Sequence, residues 1–224
     1  KWVQWPDLQN GRDLQSQYDI TDNEPDVIKA DDWICLDGLP ITDYHWWGSY
    51  YNDEHFEVAG FYIAIYANDD GDLVGDPSDD MPGEWLKGIH TTGNANETFY
   101  AVDGIGETVY EYSLDLTDLG TDYWFYQEQG EKYWISFVAD TPDIGQTPVW
   151  GWHTGLEPAG IGGLTDAVTG KVIVGNTWAV GNPDEWGRID YNMAFALTTI
   201  PEPGTLALLG FGVASLLVAR RKKR

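Results

Sequence analysis

Cysteine is nearly missing from this 224-residue chain, where Cys35 stands alone. An internal disulfide is excluded, and with it a small scaffold held together by cross-links. Cys35 lies in the apolar run Trp33-Ile34-Cys35-Leu36 with no basic neighbour to lower its pKa, which predicts a buried, inert thiol. Basic residues are scarce too, 12 Lys and Arg against 37 Asp and Glu. Residues 201–224 hold five of the basic residues and one acid, so residues 1–200 carry 7 basic and 36 acidic side chains, a net charge of −29. Such a body is repelled by nucleic acid and by anionic membranes, and it attracts cations. No helical stripe is sustained before the last 24 residues, and there is no internal repeat or long low-complexity linker. The four histidines, His45, His55, His90 and His153, are scattered. None shows the His-x-Glu, HExxH or Cys-paired spacing of a zinc or transition-metal site, and His153 reads as a packed or surface residue. A Gly-x-Ser-x-Gly nucleophile turn is also absent.

Aromatic residues, by contrast, abound: all 12 Trp and all 13 Tyr fall within residues 1–200, which excludes an acidic disordered chain. Apolar and other residues alternate with period two along Phe61–Tyr66 and Tyr133–Ala139. Short runs with strand character recur at Trp33–Leu36, Ile41–Tyr51, Thr98–Val102, Thr108–Leu116, Tyr123–Gln127, Val149–His153, Lys171–Val174 and Met193–Thr199. Gly, Asp, Asn and Pro clusters separate them. About ten short strands in one domain predict an all-β, two-sheet sandwich, specifically a jelly roll. Ile200–Gly204 is the boundary, giving a domain over residues 1–199 and a tail over 200–224.

The richest cluster of chemistry-bearing residues is the acidic stretch Asn68–Glu84. Asn68, Asp69, Asp70, Asp72, Asp76, Asp79 and Asp80 are candidate Ca²⁺ ligands, hard oxygen donors on a chain bent by Gly71, Gly75 and Pro77. The EF-hand spacing fails, because Tyr66 falls where the first carboxylate belongs, and a solvated hairpin loop explains the same residues. Asp31-Asp32 and Asp43 form a weaker cluster, read as caps on strand ends and turns. With so many acids, carboxylate pairs at glycosidase spacing arise by chance, and Asp140-Thr141-Pro142-Asp143 is explained as a turn. Trp46, Trp47 and Tyr50, with Trp124 beside Tyr123 and Tyr126, put large rings on both faces of a strand. If one face meets water, these rings are candidates for stacking on sugars, while a thick core or a lateral contact would use them equally well.

The C-terminus reads Pro201-Glu202-Pro203, an apolar span over Gly204–Ala219, then Arg220-Arg221-Lys222-Lys223-Arg224. The two prolines break the chain before the span. As a helix the span rises ~24 Å, short of a ~30 Å hydrocarbon core, and the basic end holds the terminus on the cytoplasmic side. In this order the three parts resemble the PEP-CTERM sorting signal, which implies an exported protein recognised and cut by exosortase. An uncut C-terminal anchor is the alternative. The start at Lys1 points to a leader already trimmed from this numbering. The pieces Trp2-Val3-Gln4-Trp5, Asp31-Asp32-Trp33, Tyr44-His45-Trp46-Trp47, Tyr133-Trp134 and Trp150-Gly151-Trp152-His153 resemble an uncharacterised β-sandwich domain of PEP-CTERM proteins. That resemblance brings no catalytic residues. The reading is a surface or extracellular-matrix protein of a Gram-negative-type bacterium, transiently anchored by its C-terminus, with a non-enzymatic structural or adhesive role. A carbohydrate-binding module, with calcium as its candidate stabilising ion, is the alternative, and a polysaccharide-acting enzyme stands behind both.

Overall fold

A computed structural model describes residues 2–18, 26–71, 79–92, 95–141, 149–156, 158, 160–172 and 185–199. The described chain is all-β, as the strand pattern predicts. Its strands are β1 (Trp2–Gln4), β2 (Asp13–Gln15), β3 (Gln17–Tyr18), β4 (Asp26–Ile34), β5 (Asp43–Tyr50), β6 (Gly60–Asp69), β7 (Met81–Thr92) and β8 (Asn96–Val102). They continue with β9 (Thr108–Asp115), β10 (Lys132–Asp140), β11 (Trp150–Gly155), β12 (Val168–Val172), β13 (Glu185–Arg188), β14 (Asn192–Met193) and β15 (Phe195–Thr198). Two short 3₁₀ turns, Tyr51–Asp53 and Thr121–Tyr123, interrupt them. The strand expected over Tyr123–Gln127 is instead the end of the second turn followed by one bridge, Ile41 to Phe125. The apolar tail span lies outside the described residues, and no described helix is long and apolar enough to cross a membrane.

The strands form two sheets. In the first, β1-β15-β5-β11-β14 are neighbours, β9 takes the other edge of β5 with β8 beyond it, and β2 pairs with β11. The second runs β13-β12-β4-β3-β10-β6-β7, with β4 also bonded to β10. β3 lies parallel to β10, a pairing that an all-antiparallel jelly roll lacks. The core between the sheets follows from the period of two. Tyr44, Trp46 and Tyr50 of β5 face Phe61, Ile63 and Ile65 of β6 and Tyr133, Ile135 and Phe137 of β10. Rings stack through it: Trp46 lies nearly parallel to Phe137 at 4.7 Å and to Tyr112 at 5.6 Å.

Apolar residues also close over the outer faces. Trp47, Val109, Ala194 and Ala196 form one outer cluster under Val3, Leu8 and Tyr100. Ala30, Ala64, Tyr66, Trp134 and Val168 form another under Met81 and Trp186. This burial corrects the expectation that one face of β5 meets water. Trp46 is 0% exposed and Trp47 1%, because Trp5 (5.6 Å) and Tyr100 (5.7 Å) pack on the outer ring.

Candidate functional site

A pocket opens at the end of the sandwich where β5 finishes. After Tyr50 the chain turns sharply, with Asn52 (φ 56) and Asp53 (φ 60) in the left-handed region. Asp53 Oδ1 accepts the Thr108 N–H at 2.8 Å, which pins this turn to β9. The next residues bring His55, Phe56, Glu57 and Val58 to the opening, opposite Ala95, Glu97 and Tyr112. Gly60, at the start of β6, is required by close backbone approach, since a Cβ there would sit 1.7 Å from the Thr91 carbonyl oxygen. The enclosed volume is about 180 Å³.

A hydrogen-bond relay runs into this pocket from the core. Trp150 Nε1–H donates to the Tyr112 hydroxyl at 3.1 Å, and Tyr112 donates to the Tyr50 hydroxyl at 3.2 Å. Tyr50 donates to Glu97 Oε2, while His55 Nε2 lies 2.6 Å from Glu97 Oε1. Burial, reinforced by Glu97, pushes the Tyr50 hydroxyl far above the usual phenol value. Burial and the Tyr50 and Glu97 neighbours do the same to Tyr112. Both therefore remain donors, not bases or nucleophiles. Thr91 Oγ1 is occupied by the Phe61 N–H at 2.7 Å. The Tyr110 ring stands 5.5 Å from Tyr50 and 5.6 Å from His55, giving the mouth an aromatic wall. The pocket therefore presents a carboxylate, phenols and an imidazole beside ring faces.

The residues singled out from sequence have diverse fates. Tyr50 is buried like Trp46 and Trp47, so the three present no free ring face for a sugar, and that reading is corrected. Trp124 is half-buried, its indole N–H on the Leu116 carbonyl at 3.3 Å, with Tyr126 and Tyr123 exposed nearby. In the acidic stretch, Asp72 and Asp76 lie outside the described residues. Asn68 Oδ1 accepts the Trp134 indole N–H at 2.8 Å, and Asp69 Oδ1 accepts the Gly71 N–H at 3.2 Å. Asp70 is exposed, and Asp79 lies beside Gly71. Asp80 is paired with Lys132. Asn68 and Asp80 are thus committed to structural partners. Asp43 Oδ2 accepts the Thr198 hydroxyl at 2.6 Å and faces His45 Nε2 at 2.9 Å, side-chain partners in place of the backbone cap expected of it. Asp140 holds His90 Nε2 at 2.9 Å. Pro201, Glu202, Pro203 and the basic residues 220–224 fall outside the described residues.

Asp31 and Asp32 do more than cap a strand. Both are fully buried in the middle of β4, one on each face of the sheet. Asp31 Oδ2 accepts the Gln4 amide at 2.7 Å and the Met193 N–H at 2.7 Å, tying β1 and β14 to β4. Asp32 Oδ2 accepts the Thr165 N–H at 3.0 Å and hydroxyl at 2.9 Å. Burial pushes the Asp31 carboxyl well up, with Asp32 adding to it. Burial pushes Asp32 up to about 6, against the pull of Lys132 and Thr165. The relay around Glu97 was not legible in the sequence. Glu97 stands there only inside a weak Asn96-Glu97-Thr98 glycosylation match, and its partners come from β5, β9 and a loop.

Residues 1–198 match a family described as a domain of unknown function (DUF7901), and residues 199–223 match the PEP-CTERM protein-sorting motif. No curated protein matches the chain, and no solved structure does.

Proposed function

We propose a role for this chain from the premise that it belongs to the DUF7901 family, over residues 1–198, and ends in a PEP-CTERM sorting motif. The motif marks an exported, surface-associated protein sorted by exosortase in Gram-negative-type bacteria. Beyond that address, we infer that the body acts outside the cell as a structural or adhesive module without covalent chemistry of its own. The observation that carries this reading is how the pocket's polar groups close on one another. Tyr50 and His55 converge on Glu97, Tyr112 joins them through the Tyr50 hydroxyl, and the phenols are held as donors. Among the described residues, no hydrogen bond brings the rim acid Glu57 into the relay, so Glu97 alone of the pocket's acids is held by it. In cells with an active exosortase, the full chain should reach the surface fraction in a shortened form. Without exosortase it should stay uncut in the membrane fraction through the span 204–219. Identical processing and location in both strains sinks the sorting reading.

A second reading, a carbohydrate-binding module, draws its support from the same pocket and from the exposed rings Tyr126 and Tyr123 beside Trp124. Retention on a polysaccharide array tests it. Glu97→Gln removes the charge that Tyr50 and His55 address and should weaken retention roughly tenfold, a typical cost for one charge-assisted hydrogen bond. Retention that is absent, or indifferent to Glu97→Gln and to Trp124→Ala alike, rules out both surfaces. Calcium binding at the acidic stretch is checked in the same assay by stripping with EDTA and restoring Ca²⁺ alone, which should abolish and then recover retention if that ion supports it.

A further inference from the structure

The turn between β8 and β9 folds back against the N-terminal segment, where Gly104 lies on the Gln9 backbone. Asp103 Oδ1 accepts three backbone N–H groups of its own turn, from Ile105 at 3.0 Å, Gly106 at 2.9 Å and Glu107 at 2.9 Å. The other oxygen, Oδ2, is buried with no partner, although Asp103 as a whole is only 8% exposed. Asp13 Oδ2 is likewise buried, and besides His153 the carboxyl of Glu107 is the only group that is able to donate to Asp13 among the described contacts. His153, which sequence alone places as packed or surface, is 0% exposed, with Nδ1 3.0 Å from Asp13 Oδ1. Its Nε2 faces the Asp7 carbonyl at 3.4 Å. Gly11 closes that side, since a Cβ there would stand 2.6 Å from Nε2. One donor atom from each of Asp13, Asp103 and His153 lies within 4.8 Å of the other two.

We propose that Asp13, Asp103 and His153 form a binding site for a divalent first-row transition ion, of the Zn²⁺ or Mn²⁺ class, that clamps the β8–β9 turn to β2 and β11. Distances favour it. Two ligands about 2.1 Å from an ion sit ~3.4 Å apart at a tetrahedral angle and ~3.0 Å apart at a right angle. The 3.0 Å between His153 Nδ1 and Asp13 Oδ1 falls close to these spacings, and one donor atom of Asp103 lies within 4.8 Å of both partners, near enough for a small shift of the turn to bring all three onto one ion. The polar arithmetic agrees. With Nε2–H donated to the Asp7 carbonyl, Nδ1 turns toward Asp13 either as a second N–H or as a lone pair sharing a cation. Carbonyl orientation of the distal nitrogen is what a metal-binding imidazole uses to hold its tautomer. Among the described residues no Lys or Arg pairs with Asp13, Asp103 or Glu107. The Glu107 carboxyl lies against Asp13, a further acid at the rim. The nitrogen donor selects against Ca²⁺, which takes six to eight oxygens, and distinguishes this place from the acidic stretch at Asn68–Asp80.

The test strips the full 224-residue chain, purified in mild detergent, with EDTA. It then titrates ZnCl₂, MnCl₂ and CaCl₂ separately, counting bound metal by mass spectrometry and following the melting temperature. About one Zn²⁺ or Mn²⁺ per chain is expected, with a rise in melting temperature, because an ion bound only by the folded state stabilises it. Asp103→Asn keeps an acceptor for the three turn N–H groups but replaces the unpartnered oxygen, and it should weaken uptake by roughly tenfold or more. His153→Gln should do the same, while Asp69→Asn with Asp70→Asn should change nothing. Each variant is compared with the parent in EDTA, so that loss of binding is separated from loss of fold. Failure of the unaltered chain to take up Zn²⁺ or Mn²⁺ overturns the assignment without reference to any variant. Uptake of Ca²⁺ alone, or uptake indifferent to Asp103→Asn in a folded protein, overturns it as well.

Discussion

Lys132 is held between two carboxylates drawn from distant parts of the chain. Its Nζ lies 3.2 Å from Asp32 Oδ2 and closer still to Asp80 Oδ2, with both acids almost wholly buried. Arg188 Nη2 donates to the Asp80 carbonyl at 2.6 Å, so this corner joins β4, β10, β13 and the start of β7. A buried ion pair adds little beyond an apolar equivalent, but removing one partner strands the other in low dielectric. Lys132→Met should therefore lower unfolding free energy by roughly 3–5 kcal/mol, read from urea midpoints at constant slope. A loss below about 1 kcal/mol shows that water reaches the two acids and that the corner is not a sealed contact. This residue carried no signal in the sequence, because its meaning depends on partners 100 and 52 positions away. The aromatic residues illustrate the opposite limit. Their abundance announced a large core, yet adjacent Trp46 and Trp47 could not be assigned to core or surface. The covering ring, Trp5, comes from a segment about 40 residues earlier, so nothing next to Trp47 in the sequence announces it.

Strands whose alternation is undisturbed were legible: β6 and β10 fall where the period of two puts them, and β5, β8, β9 and β11 lie within a few residues of the expected bounds. β7, the longest at 12 residues, was hidden. Pro82, Gly83 and Gly88 read as turn residues, but β7 is the edge of its sheet, where a missing N–H goes unnoticed. Its pairing with β6 is irregular around Tyr66, which breaks the alternation further. β2, β3 and β14 are too short to show any period and exist because longer strands template them. Close crossings of elements are equally silent. At Gly48, β5 passes β11 so tightly that a Cβ would lie 2.4 Å from Trp150 Cζ2 and 2.5 Å from the Gly151 carbonyl oxygen. Backbone cannot yield as a side chain does, so Gly48→Ala should cost about 3 kcal/mol by thermal or urea unfolding. Because Trp150 heads the relay to Glu97, the same substitution should weaken any ligand held in the pocket. A variant as stable as the parent indicates that β5 and β11 slide apart freely.

At the scale of the whole molecule, acid burial inverts the usual dependence of stability on pH. An acid whose pKa is raised by folding binds more protons folded than unfolded, so stability falls as pH rises between the two values. For Asp32 that window runs from about 4 to about 6, and the upward shift of buried Asp31 acts in the same direction. Asp32 alone moves stability by roughly 3 kcal/mol across it, since each pKa step of one is worth ~1.4 kcal/mol. His45, raised by the hydrogen bond of Asp43 against the counteracting effect of burial, with Glu111 adding to it, continues the trend. Its protonated form is favoured by folding, a contribution present below about 6.5 and lost above its elevated value. Asp37, lowered by the Leu39 N–H, pulls the other way, but it is exposed and its effect is screened. A body of net charge −29 adds repulsion that grows as its acids ionise. In EDTA and at fixed ionic strength, the melting temperature should be highest near pH 4–5 and decline steadily to pH 8. Added salt should recover part of the loss at pH 8, by screening the surface charges, and little of it in Asp32→Asn at pH 5. Asp32→Asn should also flatten the segment between pH 4 and 6, because it removes the proton that the fold retains. A melting temperature that climbs from pH 4 to 7 in the parent means that Asp31 and Asp32 are solvated as the fold opens locally, and that β4 is not the sealed centre of its sheet.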